Sequence, residues 1–356
     1  MPDTTGACTE PELTDEVALC APDGRLDRAA VGWARRPVHD CALPGSWGRR
    51  KRWDFWGLTG PGFALNVVVA DVDYVGIADV WFHDFASGAT AERSVPVPLA
   101  RGMALPDTVA GGDLRFSGRG LDLTIAEEAG GTRLTTAFDA EGEGVDGGAF
   151  SADVLVRRPE GHESLSVVIP WSDRRFQCTT KDVGRPAEGT VTWGDRRYVL
   201  SDGTSWGTLD FGRGKWPYRT RWNWGAGAGV VARPGGTDAT TTVGVQLGGR
   251  WTAGTGMTEN ALVVDGRLSK ISEELVWTYD TTDWLRPWTI RTPGSDRVDL
   301  TFTPFHDKRT RLQLGVAAQA TDQCFGTYAG TVVPDAGGPL TVDGLVGWAE
   351  EAAWRW

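Results

Sequence analysis

Residues 63–85 read FALNVVVADVDYVGIADVWFHDF. Two apolar runs flank Asp71-Val72-Asp73, so the stretch reads as two buried strands around a turn. Asp at such a position accepts backbone N–H groups readily. The same punctuation recurs beyond Trp56. LDLTIAE (121–127), TRLTTAFDA (132–140), SLSVVIP (164–170), TTTVGVQL (240–247) and TRLQLGVAAQ (310–319) are mostly period two, bounded by Gly, Pro or Asp. Asp265-Gly266 and Asp343-Gly344 sit between strand-like runs and read as hairpin turns.

The pattern predicts about 18 antiparallel strands, too many for one small barrel. Two packed barrels or a large sandwich are the options, with a change of half near the Gly-rich stretch 202–215. No repeat is visible, which argues against a propeller or solenoid. The 48 glycines and 19 prolines among 356 residues leave little room for long helices. GRLDRAAVGWARRP, in the turn-rich stretch before Trp56, holds one or two helical turns at most, stopped by Pro37.

Charge excludes one class of function. Lys plus Arg is 36 against 47 Asp plus Glu, a net −11. A phosphate-tracking protein needs a dominant basic face, so no nucleic-acid partner is expected. No apolar run is long enough to span a membrane as a helix. The start, MPDTTGACTEPELTDE, is acidic and lacks a secretory pattern, and the five cysteines form no C-x-x-C pair. A cytoplasmic protein with reduced thiols is the expectation. The spacings of Cys8, Cys20 and Cys41 fit no common zinc finger, and the four histidines have no metal-binding spacing. No metal and no cofactor is expected, since the P-loop, nucleophile-elbow and H-E-x-x-H motifs are all missing. The 18 tryptophans are the compositional outlier and suggest aromatic cores or an aromatic-lined cavity.

Several strings together resemble a known family: LCAPDGRLDRAAVGWARRPVHDC (19–41), KRWDFW (51–56), VADVDYVGIADVWFHDF (69–85), FGRGKWPYRTRWNWGAGAG (211–229) and TENALVVDGRLSKI (258–271). They look like the bacterial and fungal family called domain of unknown function 2804, over nearly the whole chain. That name carries no activity. More distantly, the order of motifs is similar to the carotenoid 1,2-hydratase-like proteins of the calycin superfamily. Asn223-Trp224-Gly225 and Val346-Gly347-Trp348-Ala349-Glu350 fit that plan. Residues 1–20 read as a flexible arm. Beyond them, this resemblance implies two lipocalin-like β-barrels side by side, an N-terminal one (21–210) and a C-terminal one (211–356). It also implies a cavity for a hydrophobic small molecule. The hydratases carry a histidine-rich stretch before N-W-G; here it reads Tyr218-Arg219-Thr220-Arg221-Trp222. Arginine stays charged and is a poor proton shuttle, so histidine acid–base roles do not transfer.

Four constellations are candidates for chemistry. In GRGKWPYRTRWNW (212–224), Arg213, Lys215, Arg219 and Arg221 interleave with Trp216, Tyr218, Trp222 and Trp224. Strand alternation puts Tyr218, Trp222 and Trp224 on one face, and Arg219, Arg221 and Asn223 on the other. The functional reading is an apolar ligand with a polar or anionic head; the structural reading is cation–π stacking and ion pairs. Trp56 and Trp81 are further ring candidates. Asp71, Asp73 and Asp79 share strand parity, and a buried carboxylic acid could protonate an alkene or activate water. Each could equally cap a turn or pair with an arginine. His83, inside an apolar strand, is a ligand contact or a satisfied core histidine. Glu259 is an acid or anchor at a barrel mouth, or a solvated strand-end residue. Arg49-Arg50-Lys51-Arg52 reads first as a solvated loop.

Three functions compete. One is a cofactor-free hydratase, isomerase or cyclase acting on a hydrophobic substrate, with rings stabilising developing positive charge. One is a non-catalytic carrier of a lipid-like acid. One is a carbohydrate-active protein with stacking tryptophans and paired carboxylates. Oligomeric state is open.

Overall fold

The computed structural model describes residues 9–140, 147–233, 239–315 and 317–356. Among them, the only helical element is one 3-10 turn, Arg28–Ala30, capped by Asp27, whose side chain accepts from Ala29 N at 2.9 Å. The strands in chain order are β1 (Val17–Ala18), β2 (Trp33–Ala34), β3 (His39–Asp40), β4 (Arg50–Gly60), β5 (Phe63–Asp71), β6 (Val75–Asp84), β7 (Thr90–Pro98) and β8 (Leu114–Gly118). Then come β9 (Leu121–Glu128), β10 (Gly131–Ala140), β11 (Gly148–Arg157), β12 (Leu165–Ser172), β13 (Arg175–Trp193), β14 (Arg196–Leu200) and β15 (Trp206–Lys215). The remainder are β16 (Arg219–Ala232), β17 (Thr240–Gly249), β18 (Asn260–Val264), β19 (Arg267–Ile271), β20 (Val276–Thr278), β21 (Trp288–Arg291), β22 (Val298–Leu314), β23 (Ala317–Val332) and β24 (Leu340–Arg355).

They build two antiparallel sheets, each curled into a near-barrel. The first runs β7-β6-β5-β4-β15-β13-β11-β10-β9-β8, with β12, β2 and β14 attached around β13. The second runs β19-β18-β17-β16-β24-β23-β22-β21-β20. β1 and β3 form a separate parallel pair. The all-β, two-barrel plan is therefore as expected. The line drawn at 210/211 falls inside β15, whose residues through Lys215 pair with β4 and β13; the change of sheet lies between Lys215 and Arg219.

Several strands are longer than sequence punctuation suggests. β13 has 19 residues because Gly184, at φ +75, absorbs a bulge between Asp182 and Arg185 without ending the strand. Asp265 and Gly266 both have positive φ and make the expected tight turn between β18 and β19. Asp343-Gly344 does not. It lies within β24, where Leu345 and Val342 pair with Tyr328 and Gly330, so the dipeptide is a bulge and not a hairpin. Residues 9–20, expected as a loose arm, are packed. Glu10 forms a buried ion pair with Lys270 at 2.9 Å, and Leu13 N donates to Trp33 O at 2.7 Å. Residues 1–8, with Cys8, lie outside the described residues.

Strand parity makes three cores. In the first sheet Trp56, Leu65, Val67, Val80, Phe82, Leu209 and Phe211 point into the near-barrel and fill it. In the second, Val245, Leu247, Trp288, Phe302, Cys324 and Ala349 do the same. The opposite parity, Trp81, Trp216, Trp224, Trp251, Phe325 and Trp348 among others, forms a third cluster where the two sheets pack together. Both faces of strands such as β5 and β6 are covered, which is why 63–85 reads as nearly continuous apolar sequence.

Candidate functional site

The layer between the sheets is aromatic but not apolar. Lys181 on β13 and Asp210 on β15 are cross-strand neighbours, and both are buried. Lys181 Nζ lies 3.0 Å from Asp210 Oδ2, 3.4 Å from Glu259 Oε2 and 4.3 Å from the ring centroid of Trp224. Asp210 also accepts from Thr179 Oγ1 at 2.9 Å and from the Trp53 indole N–H at 3.1 Å. Glu259, the residue before β18, accepts from the Trp251 indole. Gly248 makes room for it, since a Cβ there would sit 2.2 Å from Glu259 Cγ.

Across the second sheet, Trp224, Glu350 and Gln323 stand in one cross-strand row. Glu350 Oε1 accepts from the Trp222 indole at 2.8 Å, and Oε2 from Gln323 Nε2 at 2.9 Å. Gln323 in turn accepts from Asn66 Nδ2 of the first sheet at 3.0 Å. The chain from Asn66 to Trp222 thus crosses the seam through a carboxyl group.

Burial dominates the electrostatics. It raises the pKa of both Glu259 and Glu350 to about 7, against the pull of Lys181 and of the indole donors. For Lys181, burial works against the charge but is overridden by Asp210 and Glu259, so the ammonium persists. Around Lys181 the layer therefore sets a buried ammonium beside two glutamates, Glu259 and Glu350, whose pKa burial lifts towards neutrality.

The rings pack in ordered contact. Trp216 and Trp251 stack with centroids 5.4 Å apart and planes 6° apart, and Trp53, Trp171 and Trp356 meet Trp216 edge-on. Two central N–H groups are directed at acceptors, Trp216 to Gln177 at 2.6 Å and Trp224 to Gln246 at 3.0 Å, while those of Trp348 and Trp356 are enclosed without one. Trp53, Trp171, Trp222 and Trp356 are half-buried and form a rim towards solvent. At the other end, Trp81 stacks on Phe325 at 5.0 Å and lies beneath Lys308 Nζ at 4.6 Å. His83 on β6 stacks on His306 on β22 at 3.6 Å and its Nδ1 is 2.9 Å from Thr90 Oγ1. Two open grooves, about 370 and 380 Å³, lie outside this layer, the second bordering the rim through Trp354.

Of the residues singled out in the sequence, Glu259, Trp216, Trp222, Trp224, Trp81 and His83 meet in the layer. Asp79 shares its face, half-buried, and its charge supports the Lys308 ammonium against burial. The others are elsewhere. Asp71 Oδ1 caps Asp73 N at 2.7 Å. Asp73, at φ +74, locks the preceding loop by accepting from Gly48 N, Arg50 N and Arg50 Nε. Both are turn residues. Trp56 has the parity of the first barrel's interior and lies under Arg185. Arg213 is buried in the same barrel, paired with Asp54 at 2.7 Å, and Lys215 is bound to the carbonyls of Gly24 and Pro44. Tyr218 is on the surface with Arg49 over its ring at 5.9 Å. Asn223 donates to Tyr279 Oη at 3.0 Å inside the second sheet, and Arg219 and Arg221 are exposed on that same face. The expected alternation of 218–224 is real, but the sheet separates its arginines from its indoles.

Sequence reasoning overlooked Lys181, Asp210, Gln177, Gln323, Lys308 and the burial of Glu350 in the layer. Parity would have found Asp210, which sits between the core residues Leu209 and Phe211. Glu350 stood in a quoted motif, Val346–Glu350, and its odd neighbour Ala349 faces the second core.

Fold and site together define an all-β protein of two near-barrels joined by a buried, acid-bearing aromatic layer. The family model of a domain of unknown function (DUF2804) matches residues 10–356, and the chain belongs to that family. Comparison with curated proteins gives no match. Among solved structures, an AttH candidate from Nitrosomonas europaea is 13% identical, with a TM-score of 0.42 over 87% of this chain and 98% of its own. Kievitone hydratase from Nectria haematococca is 8% identical, with a TM-score of 0.41 over 86% of this chain and 88% of its own. At those values the likenesses carry nothing about chemistry.

Proposed function

We propose that the inter-sheet layer binds a small hydrophobic or amphiphilic molecule and performs cofactor-free acid–base chemistry on it: hydration, isomerisation or cyclisation. The observation that carries this is the pair Glu259 and Glu350, two buried carboxyl groups held near pKa 7 among indole rings. An acid of that pKa is protonated often enough to donate and its anion is basic enough to take the proton back. In this reading Glu350 is the proton donor. Glu259 and Asp210 hold Lys181, whose charge stabilises the carboxylate that Glu350 leaves behind. Indole faces stabilise a cationic carbon formed on protonation. The ligand docks at the half-exposed rim of Trp53, Trp171, Trp222 and Trp356, where the Trp222 indole reaches Glu350. Asp71 and Asp73, engaged in a turn, take no part.

The test is turnover of a panel of isoprenoid and aromatic alkenes in deuterated water, read as deuterium incorporation by mass spectrometry. Wild type incorporates solvent deuterium; Glu350→Gln loses at least about a hundredfold in rate and keeps its ligand affinity. A Glu350→Gln protein as active as wild type refutes the role of Glu350. Ligand binding with no turnover by wild type leaves the carrier reading.

A further inference from the structure

Beyond the acid layer, on the other face of β16 and β24, three arginines line one groove. Arg219 and Arg355 are direct cross-strand partners, and Arg221 is one pleat along, opposite Ala353. Like charges placed directly opposite on a sheet destabilise it. Together with Thr220, Gln313 and Trp354 these arginines line an open groove of about 380 Å³.

Nearby carboxylates do not neutralise them. Glu351 on β24 is taken by Arg250 at 3.0 Å and by the Tyr279 hydroxyl. Asp322 on β23 receives two bonds of 2.6 Å from Arg311 and lies 3.4 Å from Arg309. Asp307 receives Arg309 at 2.9 Å. Among the described residues, Arg219, Arg221 and Arg355 have no carboxylate partner. Arg355 donates once to the Gly315 carbonyl at 2.6 Å, while its Nε is enclosed without a partner. A chain of net charge −11 has acids to spare, yet the local ones are committed to other arginines.

We infer that this groove is a binding site for a small multiply charged oxyanion, a phosphate or phosphate monoester. Guanidinium forks match its oxygens bidentately, and a dianion relieves the repulsion between Arg219 and Arg355. Gln313 adds a neutral donor at the edge. The site is independent of the proposed chemistry at Glu350, being across the sheet from it.

The experiment titrates the full chain with inorganic phosphate, against sodium chloride at equal ionic strength, and follows the arginine Nε–H signals by NMR. A saturable shift with phosphate and none with chloride is expected. Arg219→Ala/Arg221→Ala, both at exposed positions, should weaken phosphate at least about tenfold with an unchanged melting temperature. Glu350→Gln should bind phosphate as wild type does, whatever its turnover. Equal responses to phosphate and chloride, or undiminished binding by the double variant, would overturn the proposal. Flotation with vesicles of phosphatidic acid against vesicles of phosphatidylcholine names the source. Arginine-dependent flotation on phosphatidic acid marks a lipid-borne phosphate, and phosphate binding without flotation a soluble one.

Discussion

Lys181 belongs to the first sheet and Glu259 leads into the second, yet the Lys181 ammonium stands 3.4 Å from the Glu259 carboxylate. The seam between the two near-barrels is therefore an electrostatic joint as well as an aromatic one. With Asp210 at 3.0 Å on the other side, the lysine is the only ammonium ion-paired to either acid among the described residues.

Removing that charge leaves acids buried without compensation. Lys181→Met is expected to lower stability by roughly 3–5 kcal/mol, as breaking a buried ion pair does. Urea denaturation at pH 7 measures it. The double variant Lys181→Met/Asp210→Asn should recover part of the loss; no recovery would mean that the two groups are not energetically coupled.

Glu350 makes stability fall as pH rises. Its pKa is about 7 in the folded chain against an ordinary 4.5, so between those values the unfolded chain has already released the proton that the folded chain keeps. Its contribution is complete below pH 4.5 and lost on rising through pH 7. Glu350→Gln should accordingly be more stable relative to wild type at pH 8 than at pH 5, by on the order of 2 kcal/mol. Denaturation curves at the two pH values decide it, and a gap of the opposite sign refutes the assignment.

The histidine pair acts in the other direction. Burial, with His306 beside it, lowers the His83 pKa to about 4, and burial lowers that of His306 as well. Between pH 6.5 and 4 the unfolded chain binds more protons, so stability is lost as pH falls. Both rings stay neutral at pH 7, stacked 3.6 Å apart between β6 and β22, with Asp84, Asp307 and Lys308 as neighbouring charges. His83→Phe should flatten the acid limb of the melting curve without changing the limb above pH 7.

Gly248 is a spacer for an acid. A methyl group there would meet Glu259 Cγ at 2.2 Å and Oε1 at 2.3 Å. Gly248→Ala should displace Glu259, destabilise by about 1–3 kcal/mol and reduce any activity that depends on the layer. Gly254→Ala lacks a neighbour within 4 Å but has φ +77, so it serves as a backbone-strain control.

The alternation along each strand was readable, and with it the all-β class; strand count left two barrels or a large sandwich open, and the two-barrel plan was what the family resemblance implied. What could not be read was which of two buried faces belongs to a barrel and which to the seam. Trp56 and Phe55 are adjacent and both apolar, yet Trp56 faces the first core and Phe55 packs against Trp224 and Trp348. Only the register of β4 against β15 separates them. Asp73 and Asp79 share parity in the sequence, but the φ of +74 at Asp73 turns the first into a loop lock. Lys181 and Asp210 are 29 positions apart and meet because β13 and β15 pair, a relationship that neither local string announces.

The seam also fixes an order of events during synthesis. The first sheet has all its strands once Lys215 is made, while the facing surface needs Trp224, Gln323 and Glu350, and its last strand ends at Arg355. Until then a nascent chain carries Trp53, Phe55 and Trp81 on a finished but uncovered sheet, beside the charges of Lys181 and Asp210. Those charges, hydrated while they wait, keep that face from being a purely greasy surface on the ribosome. Those charges only moderate the exposure, so a chain cut after Lys215 should aggregate more readily than the full chain, whose second sheet covers Phe55 and Trp81.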